Sequence, residues 1–165
     1  LRPRKTLKQL GISMLHVVFF EPRIPGNTGA AIRLSANSGS MLHVVDPLFE
    51  MEDSKLRRAG LDYHDLANTV VHASWEECLE QLPGRIFAFT AHTELLYTEV
   101  DYVDGDALLF GPEPTGLPDH IMHHERVTDL VRIPMVDGNR SLNLANSAAI
   151  GLYEAWRQLG FAGGH

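Results

Sequence analysis

The sequence predicts an α/β protein in which helices cover both faces of a largely parallel β-sheet. Short apolar runs of strand length alternate with helical patterns along the chain, as expected when helices connect parallel strands. The run at residues 14–20, MLHVVFF, is almost continuously apolar, which is typical of a strand buried on both faces. The final pattern, at residues 142–159, places Leu and Ala at helical spacing. There is no internal repeat or linker between these patterns.

The predicted elements follow from apolar periodicity and from the turn residues between them. Strands are predicted at residues 14–20, 41–45, 69–71, 86–90, 107–110 and 131–133. Helices are predicted from residue 27 or 28 to 38, and at 53–59, 74–82, 119–124 and 142–159. The expected N-caps are Asn27 or Thr28, Ser74 in a capping box with Glu77, and Ser141 or Asn143. Gly39 and Gly160 are expected to end the first and last helices in a left-handed conformation.

Length and composition predict a single domain at residues 14–160. Residues 1–13 are expected to be an N-terminal extension or a cloning remnant, and residues 161–165 a short tail. The formal charge of -7 argues weakly against a protein that coats nucleic acid. Cys78 is the only cysteine, so no intrachain disulfide and no cysteine-based zinc site are expected. No apolar run is long enough to cross a membrane and no signal-peptide core is present, so a cytoplasmic protein is expected.

Three loops rich in Gly, Pro and small polar residues predict a ligand site. They lie at residues 21–29, 111–118 and 134–143, each after a predicted strand. In parallel sheets, ligands bind outside the carboxyl ends of the strands. For any one loop, Gly and Pro could simply form the turn. Polar residues that amphipathicity does not explain crowd the start of the last helix: Asn139, Arg140, Ser141, Asn143 and Asn146.

These loops carry a family resemblance. NTGAAIR (residues 27–33), LLFGPEPTGLP (108–118) and IPMVDGNRSLNLANSAAIGLYEAWRQLG (133–160) resemble the three signature motifs of the SPOUT RNA methyltransferases. More narrowly, they resemble the small tRNA 2'-O-methyltransferases of the TrmL (YibK-like) type. EPRIPGNTG from residue 21 and LRRAGLDYH at residues 56–64 match as well. The resemblance covers nearly the whole chain.

The resemblance implies a fold and an activity that spacing alone does not show. The fold would contain a C-terminal trefoil knot, and the protein would be a homodimer packed partly through its first and last helices. Tyr153 and Trp156, on the last helix, are expected to serve dimer packing more than base stacking. The cofactor would be S-adenosyl-L-methionine. The substrate would be tRNA, methylated on the ribose 2'-hydroxyl of the wobble nucleotide, a cytidine or modified uridine, in leucine isoacceptors. No metal is needed for such a transfer.

The resemblance also implies roles for individual residues. The cofactor-binding residues would be Phe89, Gly111, Ile133 and Ser141. The catalytic residues would be Arg33, Glu113, Ser141 and Asn143. The substrate-binding residues would be Asn27, Arg23 and Arg140. Each has a structural alternative: Phe89 and Ile133 could be core residues, Ser141, Asn143 and Asn27 helix caps, Gly111 a turn residue, and the arginines solvated surface groups.

Arg33 is the family's candidate general base, but a guanidinium is a poor proton acceptor. Clamping a phosphate or stabilising the developing alkoxide suits it better. Glu113 could orient Arg33, the ribose or the loop backbone. Arg132 is a further candidate for phosphate contact. Other basic residues that could meet tRNA are Arg2, Arg4, Lys5, Lys8, Lys55, Arg57 and Arg58.

Other functions remain open at this point. A ribosomal RNA 2'-O-methyltransferase would keep the same catalytic residues, and a non-catalytic RNA-binding protein would keep only the fold. A dehydrogenase is disfavoured because no G-x-G-x-x-G follows the first strand. His120, His123 and His124 are close in sequence but diverge on a helix and lack matching carboxylates, so no metal site is expected there. His64 is expected to be a structural hydrogen-bonding group.

Overall fold

The computed structural model describes residues 14–52 and 65–165. Its centre is a six-stranded sheet in the order β3-β2-β1-β5-β4-β6, in which every pair of neighbours is parallel. The strands are β1 (His16–Phe20), β2 (Met41–Val45), β3 (Thr69–His72), β4 (Ile86–Phe89), β5 (Ala107–Phe110) and β6 (Val127–Val131). The helices are α1 (Pro25–Ser38), α2 (Trp75–Glu80), α3 (Asp119–Met122) and α4 (Leu144–Gln158), with 3-10 turns at Asp65–Asn68 and Tyr97–Glu99. The predicted fold class is confirmed.

The strands divide their side chains between two buried clusters, one on each face of the sheet. In β1, Val17 and Phe19 belong to the cluster that includes residues of α1 and α4. Val18 and Phe20 belong to the cluster that includes residues of α2 and α3. This alternation is the period of a β-strand, and both sets are buried because helices cover both faces. It explains why residues 14–20 are apolar at nearly every position.

The position of the last strand differs from its prediction. The last strand was expected at residues 131–133, but β6 ends at Val131. Arg132 instead pairs with the chain around Leu96, where its N–H donates to the carbonyl of Leu95. The sequence of β6, VTDLV, contains polar residues and only Val131 is buried, so it lacks the apolar pattern by which a strand is recognised.

The start of α1 also differs from the prediction. The helix begins at Pro25, with Ile24 as an N-cap that makes no side-chain cap hydrogen bond. Proline suits the first turn because its fixed φ is helical and no N–H is needed there. Asn27 and Thr28 are therefore inside the helix and buried, and neither is its cap.

The other helix ends agree well with their predicted signals. Asn143 caps α4 by accepting a hydrogen bond from the Asn146 N–H, so it is the cap and Ser141 is not. Gly39 and Gly160 have φ of 75° and 72°, the left-handed conformation expected after α1 and α4. Ser74 accepts from the Glu77 N–H at the start of α2. The predicted helix at 53–59 lies outside the described residues.

Residues 161–165 fold back on α4. The indole N–H of Trp156 donates to the carbonyl of Ala162 at 3.0 Å, and the ring of Phe161 meets Trp156 edge-on at 5.4 Å. In the described part of the chain, no helix is both long and apolar enough to span a membrane.

Candidate functional site

A cleft of about 840 Å³ lies at the carboxyl ends of β4 and β5. This size is within the range of small-molecule and cofactor sites. Seven of the predicted site residues line it: Asn27, Phe89, Gly111, Glu113, Ile133, Ser141 and Asn143. The structure therefore brings together residues that are as far apart in sequence as 27 and 143. Arg23, Arg33 and Arg140 do not line the cleft, and all three are exposed.

Glu113 connects the loop after β5 to the start of α1. Its Oε1 accepts the backbone N–H of Arg23 at 3.2 Å, and its Oε2 accepts the N–H of Ile24 at 3.1 Å. The side-chain amide of Asn27 donates to the same Oε2 at 3.0 Å. A carboxylate is favoured at a helix N-terminus, where unpaired N–H groups and the helix dipole present positive charge. Of the predicted roles of Glu113, the one that this geometry supports is holding loop backbone.

The hydrogen bonds continue from Asn27 to α4. The Oδ1 of Asn27 accepts the side-chain amide of Asn143 at 2.9 Å, and the Oδ1 of Asn143 accepts the Asn146 N–H at 3.1 Å. We call Glu113, Asn27 and Asn143 the polar chain. It joins the three predicted loops, because one member comes from each. Helix capping thus accounts for Asn143, and the amide of Asn27 serves this chain instead of capping α1.

Gly111 is required by the close return of its own loop. A β-carbon at this position would overlap the backbone of Gly116 and Leu117. The loop is closed by a hydrogen bond from the Gly116 N–H to the carbonyl of Pro112, and Gly116 has a φ of 73°. The packing of this loop therefore explains the glycine by itself, and a main-chain contact between Gly111 and the cofactor stays a prediction.

Phe89 is both a core residue and a wall of the cleft. Its ring stacks on Phe110 with centroids 4.5 Å apart, and it is only partly buried. A β-carbon on Gly151 of α4 would lie 2.8 Å from the ring, so α4 approaches Phe89 closely. Ile133 is also half-buried and lines the same cleft. Phe89 is thus a core residue that also faces the cleft, and its contact with the cofactor stays a prediction.

Two contributors to the cleft were not assigned to it from sequence. The loop after β4 supplies Thr90, Ala91 and His92. Its position at the carboxyl end of a central strand was the available signal. Arg132 also lines the cleft, and its buried Nε has no hydrogen-bond partner among the described residues. A buried guanidinium donor without a partner is unfavourable unless a ligand accepts from it.

The remaining predicted nucleic-acid contacts all lie outside the described residues. These are Arg2, Arg4, Lys5, Lys8, Lys55, Arg57 and Arg58, and the same holds for His64. His120, His123 and His124 are described, and they are not part of any group of three potential metal ligands found in the described residues.

Known proteins resemble this chain over almost its whole length. Residues 14–153 match the SpoU rRNA Methylase family. A tRNA (cytidine(34)-2'-O)-methyltransferase of Methylovorus glucosotrophus is 51% identical over 152 residues, covering 91% of this chain and 99% of that protein. The protein of the same name in Escherichia coli K12 is 47% identical, covering 91% and 97%.

Solved structures agree with these relatives. One, described as giving insight into 2'-OH methylation of C/U34 on tRNA, has a TM-score of 0.81 and 43% identity, and the match covers 90% of this chain and 97% of that one. Another is the SpoU methyltransferase AviRb of Streptomyces viridochromogenes in complex with AdoMet. It has a TM-score of 0.78 and 28% identity, and the match covers 90% of this chain and 61% of that one. Sequence, fold and cleft agree, and the chain belongs to the SpoU rRNA methylase family.

Proposed function

We propose that this protein transfers a methyl group from S-adenosyl-L-methionine to the ribose 2'-hydroxyl of the wobble nucleotide in tRNA. The observation that carries the proposal is the cleft, in which the three family loops are joined by the polar chain. Relatives that share about half of the sequence are named tRNA (cytidine(34)-2'-O)-methyltransferases. Position 34 as cytidine or modified uridine, and leucine tRNAs as the acceptors, are part of this proposal.

The residues of the cleft fit S-adenosyl-L-methionine. Its adenine needs apolar walls and backbone hydrogen-bonding groups, which Phe89, Ile133 and the loop at Gly111 offer. The unpartnered Nε of Arg132 is a donor for a ligand oxygen. When bound, the cofactor supplies an activated methyl group on a sulfonium, so the chain must position the acceptor, exclude water and assist loss of the 2'-hydroxyl proton.

The polar chain acts as the positioning device. The side-chain oxygens of Glu113 and Asn143 accept hydrogen bonds from backbone N–H groups of the protein. Their contribution is therefore to hold the loops in place around the cleft. Ser141 lies at the cleft and is exposed, so its hydroxyl is available to a cofactor or ribose. Preorganised groups of this kind accelerate a reaction because they need no rearrangement as charge develops.

Arg33, Arg23 and Arg140 are proposed to act on the RNA side. They are exposed and outside the cleft, as phosphate-binding side chains should be. Arg33 is proposed to stabilise the developing alkoxide or its adjacent phosphate, since a guanidinium is always charged and donates in a planar fork. A homodimer would place a second set of these side chains near one tRNA. The dimer, the trefoil knot and a cytoplasmic location, where tRNA is processed, are parts of the same proposal.

The proposal is tested by transfer of labelled methyl from S-adenosyl-L-methionine to total tRNA, with mapping of the labelled nucleotide. We expect label at the 2'-oxygen of position 34 in leucine isoacceptors. Arg33→Ala should lower kcat/KM by roughly 100-fold or more, while the affinity for S-adenosyl-L-methionine changes little. Arg126→Ala is the matched control, because Arg126 is exposed and lies outside the cleft.

The other outcomes are equally informative. Label in ribosomal RNA and none in tRNA would retain the reaction and replace the substrate. Cofactor binding with no transfer to either RNA would contradict an enzymatic function and favour an RNA-binding protein. Equal losses of kcat/KM in Arg33→Ala and Arg126→Ala would contradict a specific role of Arg33 in the reaction.

A further inference from the structure

A row of buried histidines crosses the sheet away from the cleft. His16, His43 and His72 come from β1, β2 and β3. Within the parallel register, His43 is opposite Val18 and His72 is opposite Val45. Each histidine is therefore offset by two positions from the one on the neighbouring strand, and all three side chains point to the same face. That face is the one covered by α2.

The three rings are in direct hydrogen-bond contact. The Nδ1 of His16 is 2.9 Å from the Nε2 of His43, and the Nδ1 of His43 is 2.9 Å from the Nε2 of His72. Burial, reinforced by the two neighbouring histidines, lowers the pKa of His43 to about 3. In each of the two contacts one ring nitrogen has to accept, so it carries no hydrogen, and an imidazole nitrogen of this kind is a metal ligand.

Cys78 completes the cluster from the helix above. It lies on α2, is fully buried, and burial raises the pKa of its thiol to about 12. Its Sγ and one nitrogen each of His43 and His72 all lie within 4.8 Å of one another. None of these residues lines the cleft. The proposed methyl transfer therefore leaves this set of nitrogen and sulfur groups without a role.

We propose that His43, His72 and Cys78 bind one thiophilic metal ion, zinc(II) or copper(I), and that His16 orients His43 within the site. Metal–nitrogen bonds of about 2.0–2.1 Å and metal–sulfur bonds of about 2.3 Å place ligand atoms roughly 3–4 Å apart. The ligand atoms lie within 4.8 Å of one another, so the sulfur would move inward, while the two nitrogens, 2.9 Å apart, would separate slightly. Binding of the ion at Nδ1 of His43 and Nε2 of His72 would replace the hydrogen bond between these two atoms.

The protons balance in this arrangement. Cys78 loses its thiol proton, and binding a metal is sufficient to deprotonate a coordinating thiol. The His72 proton moves from Nε2 to Nδ1, so one proton is released for each ion bound. With Nδ1 of His43 on the metal, its Nε2 carries the hydrogen and donates to Nδ1 of His16. Such a second hydrogen bond fixes the tautomer and ring orientation of metal-binding histidines.

The role of this site would be structural. The ligands join α2 to β2 and to the edge strand β3. The two strands are also hydrogen-bonded in the sheet, whereas α2 is held against them mainly by apolar packing. Two imidazoles and one thiolate give a neutral site with copper(I), and a single positive charge with zinc(II). Since the surroundings are apolar and include Val45 and Trp75, the neutral site has the lower desolvation cost, whereas zinc(II) would need a fourth ligand such as water.

The test uses the full chain without a histidine tag, treated with a chelator and then titrated separately with zinc(II), copper(I) and cobalt(II). We expect one ion per chain, a higher Tm when the ion is bound, and a thiolate-to-cobalt charge-transfer band. Cys78→Ala and His72→Gln should each weaken binding by at least roughly tenfold, as loss of a ligand does. The exposed histidine substitution His120→Gln should leave binding unchanged.

The cobalt spectrum keeps the test decisive even where a variant does not fold, because it is recorded on the unaltered chain. Cobalt binding without a thiolate band would overturn the site. So would binding that is lost in His120→Gln, or absence of stoichiometric binding for all three ions. Comparison of zinc(II) with copper(I) affinities then identifies the ion. These readouts do not depend on methyl transfer, so they stand apart from the proposed function.

Discussion

Glu113 is the residue on which the geometry of the cleft depends most. Its two oxygens accept three N–H donors, and glutamine has only one oxygen to offer them. In Glu113→Gln the new NH₂ group would face a donor, so at least one of the three donors loses its acceptor. We expect the free energy of unfolding to fall by about 0.5–1.5 kcal/mol, because the bonds to Arg23 and Ile24 are exposed to solvent, and the affinity for S-adenosyl-L-methionine to fall with it.

Urea unfolding and calorimetric titration would measure both effects. Glu125→Gln is the control, since Glu125 is exposed and lies outside the cleft. Unchanged stability and affinity in Glu113→Gln would mean that the loops around the cleft hold their shape without the polar chain.

Asp106 is a second residue whose charge must be matched. It is fully buried and accepts from the Nε of Arg85 at 3.0 Å, from an Arg85 NH2 group at 2.7 Å and from the Val103 N–H at 2.8 Å. This hydrogen bonding raises the pKa of Arg85. Arg85→Met would leave a buried carboxylate without its cation, and the Arg85 side chain is 41% exposed. We expect a loss of about 2–3 kcal/mol, the low end for such a change.

The pair Arg157–Glu154 is the comparison, because it is also joined by two hydrogen bonds, but its arginine side chain is 60% exposed and its glutamate side chain 14% exposed. Arg157→Met should cost clearly less than Arg85→Met, because solvent screens the exposed cation. Chemical denaturation of both variants measures the contrast. Equal losses would show that burial of Asp106 does not determine the strength of its pair.

At the scale of elements, two glycines, one in the loop after β5 and one in the first turn of α1, should respond oppositely to substitution by alanine. Gly111→Ala places a β-carbon against the backbone of Gly116 and Leu117, which has no room to move without opening the loop. Gly26 is in the first turn of α1, and a β-carbon there meets nothing within 4 Å. We expect Gly111→Ala to destabilise by more than about 2 kcal/mol, and Gly26→Ala to stabilise by about 0.5–1 kcal/mol.

Thermal unfolding of both variants provides the measurement, and Gly26→Ala serves as the control for adding a methyl group. A neutral Gly111→Ala would mean that the 111–118 loop adapts easily, and that close backbone approach is not what requires glycine there.

How well each element could be predicted depended on whether local or tertiary contacts define it. β2 and β5 were predicted with their observed bounds because strands buried on both faces are apolar at almost every position. The start of α1 was not, because Asn27 looks like a cap but its side chain bonds Glu113 and Asn143, 86 and 116 residues away. Local sequence contains no sign of such partners.

The candidate site shows the same division. The loop residues of the cleft were predicted because their motifs resemble a family, and seven of them meet in space. The roles of the polar chain could not be assigned before its hydrogen bonds were known. His43, His72 and Cys78 match no metal-binding spacing, since they lie on separate elements that only the strand register and α2 bring together.

At the scale of the whole molecule, the outer side of α4 is an exposed apolar surface. Ile150 and Tyr153 are 37% and 42% exposed on this helix, and Phe161 beyond its end is 43% exposed. The Tyr153 ring meets Trp156 edge-on at 5.3 Å, so these aromatic side chains form one apolar surface. Contiguous apolar surface of this kind is typical of an interface between proteins.

The homodimer that we propose would pack partly through this surface, so charge placed on it should separate the subunits. Ile150→Glu combined with Tyr153→Glu would put two carboxylates per chain into an apolar interface, and a buried unpaired charge is strongly unfavourable. We expect sedimentation to show a dimer for the unaltered protein and a folded monomer for the double variant. Val71→Glu is the control, because Val71 is 49% exposed on the edge strand β3, three strands away from β5, against which α4 packs. A double variant that remains dimeric would place the interface elsewhere, whereas a monomer that binds S-adenosyl-L-methionine but no longer methylates tRNA would show that the second subunit serves the RNA.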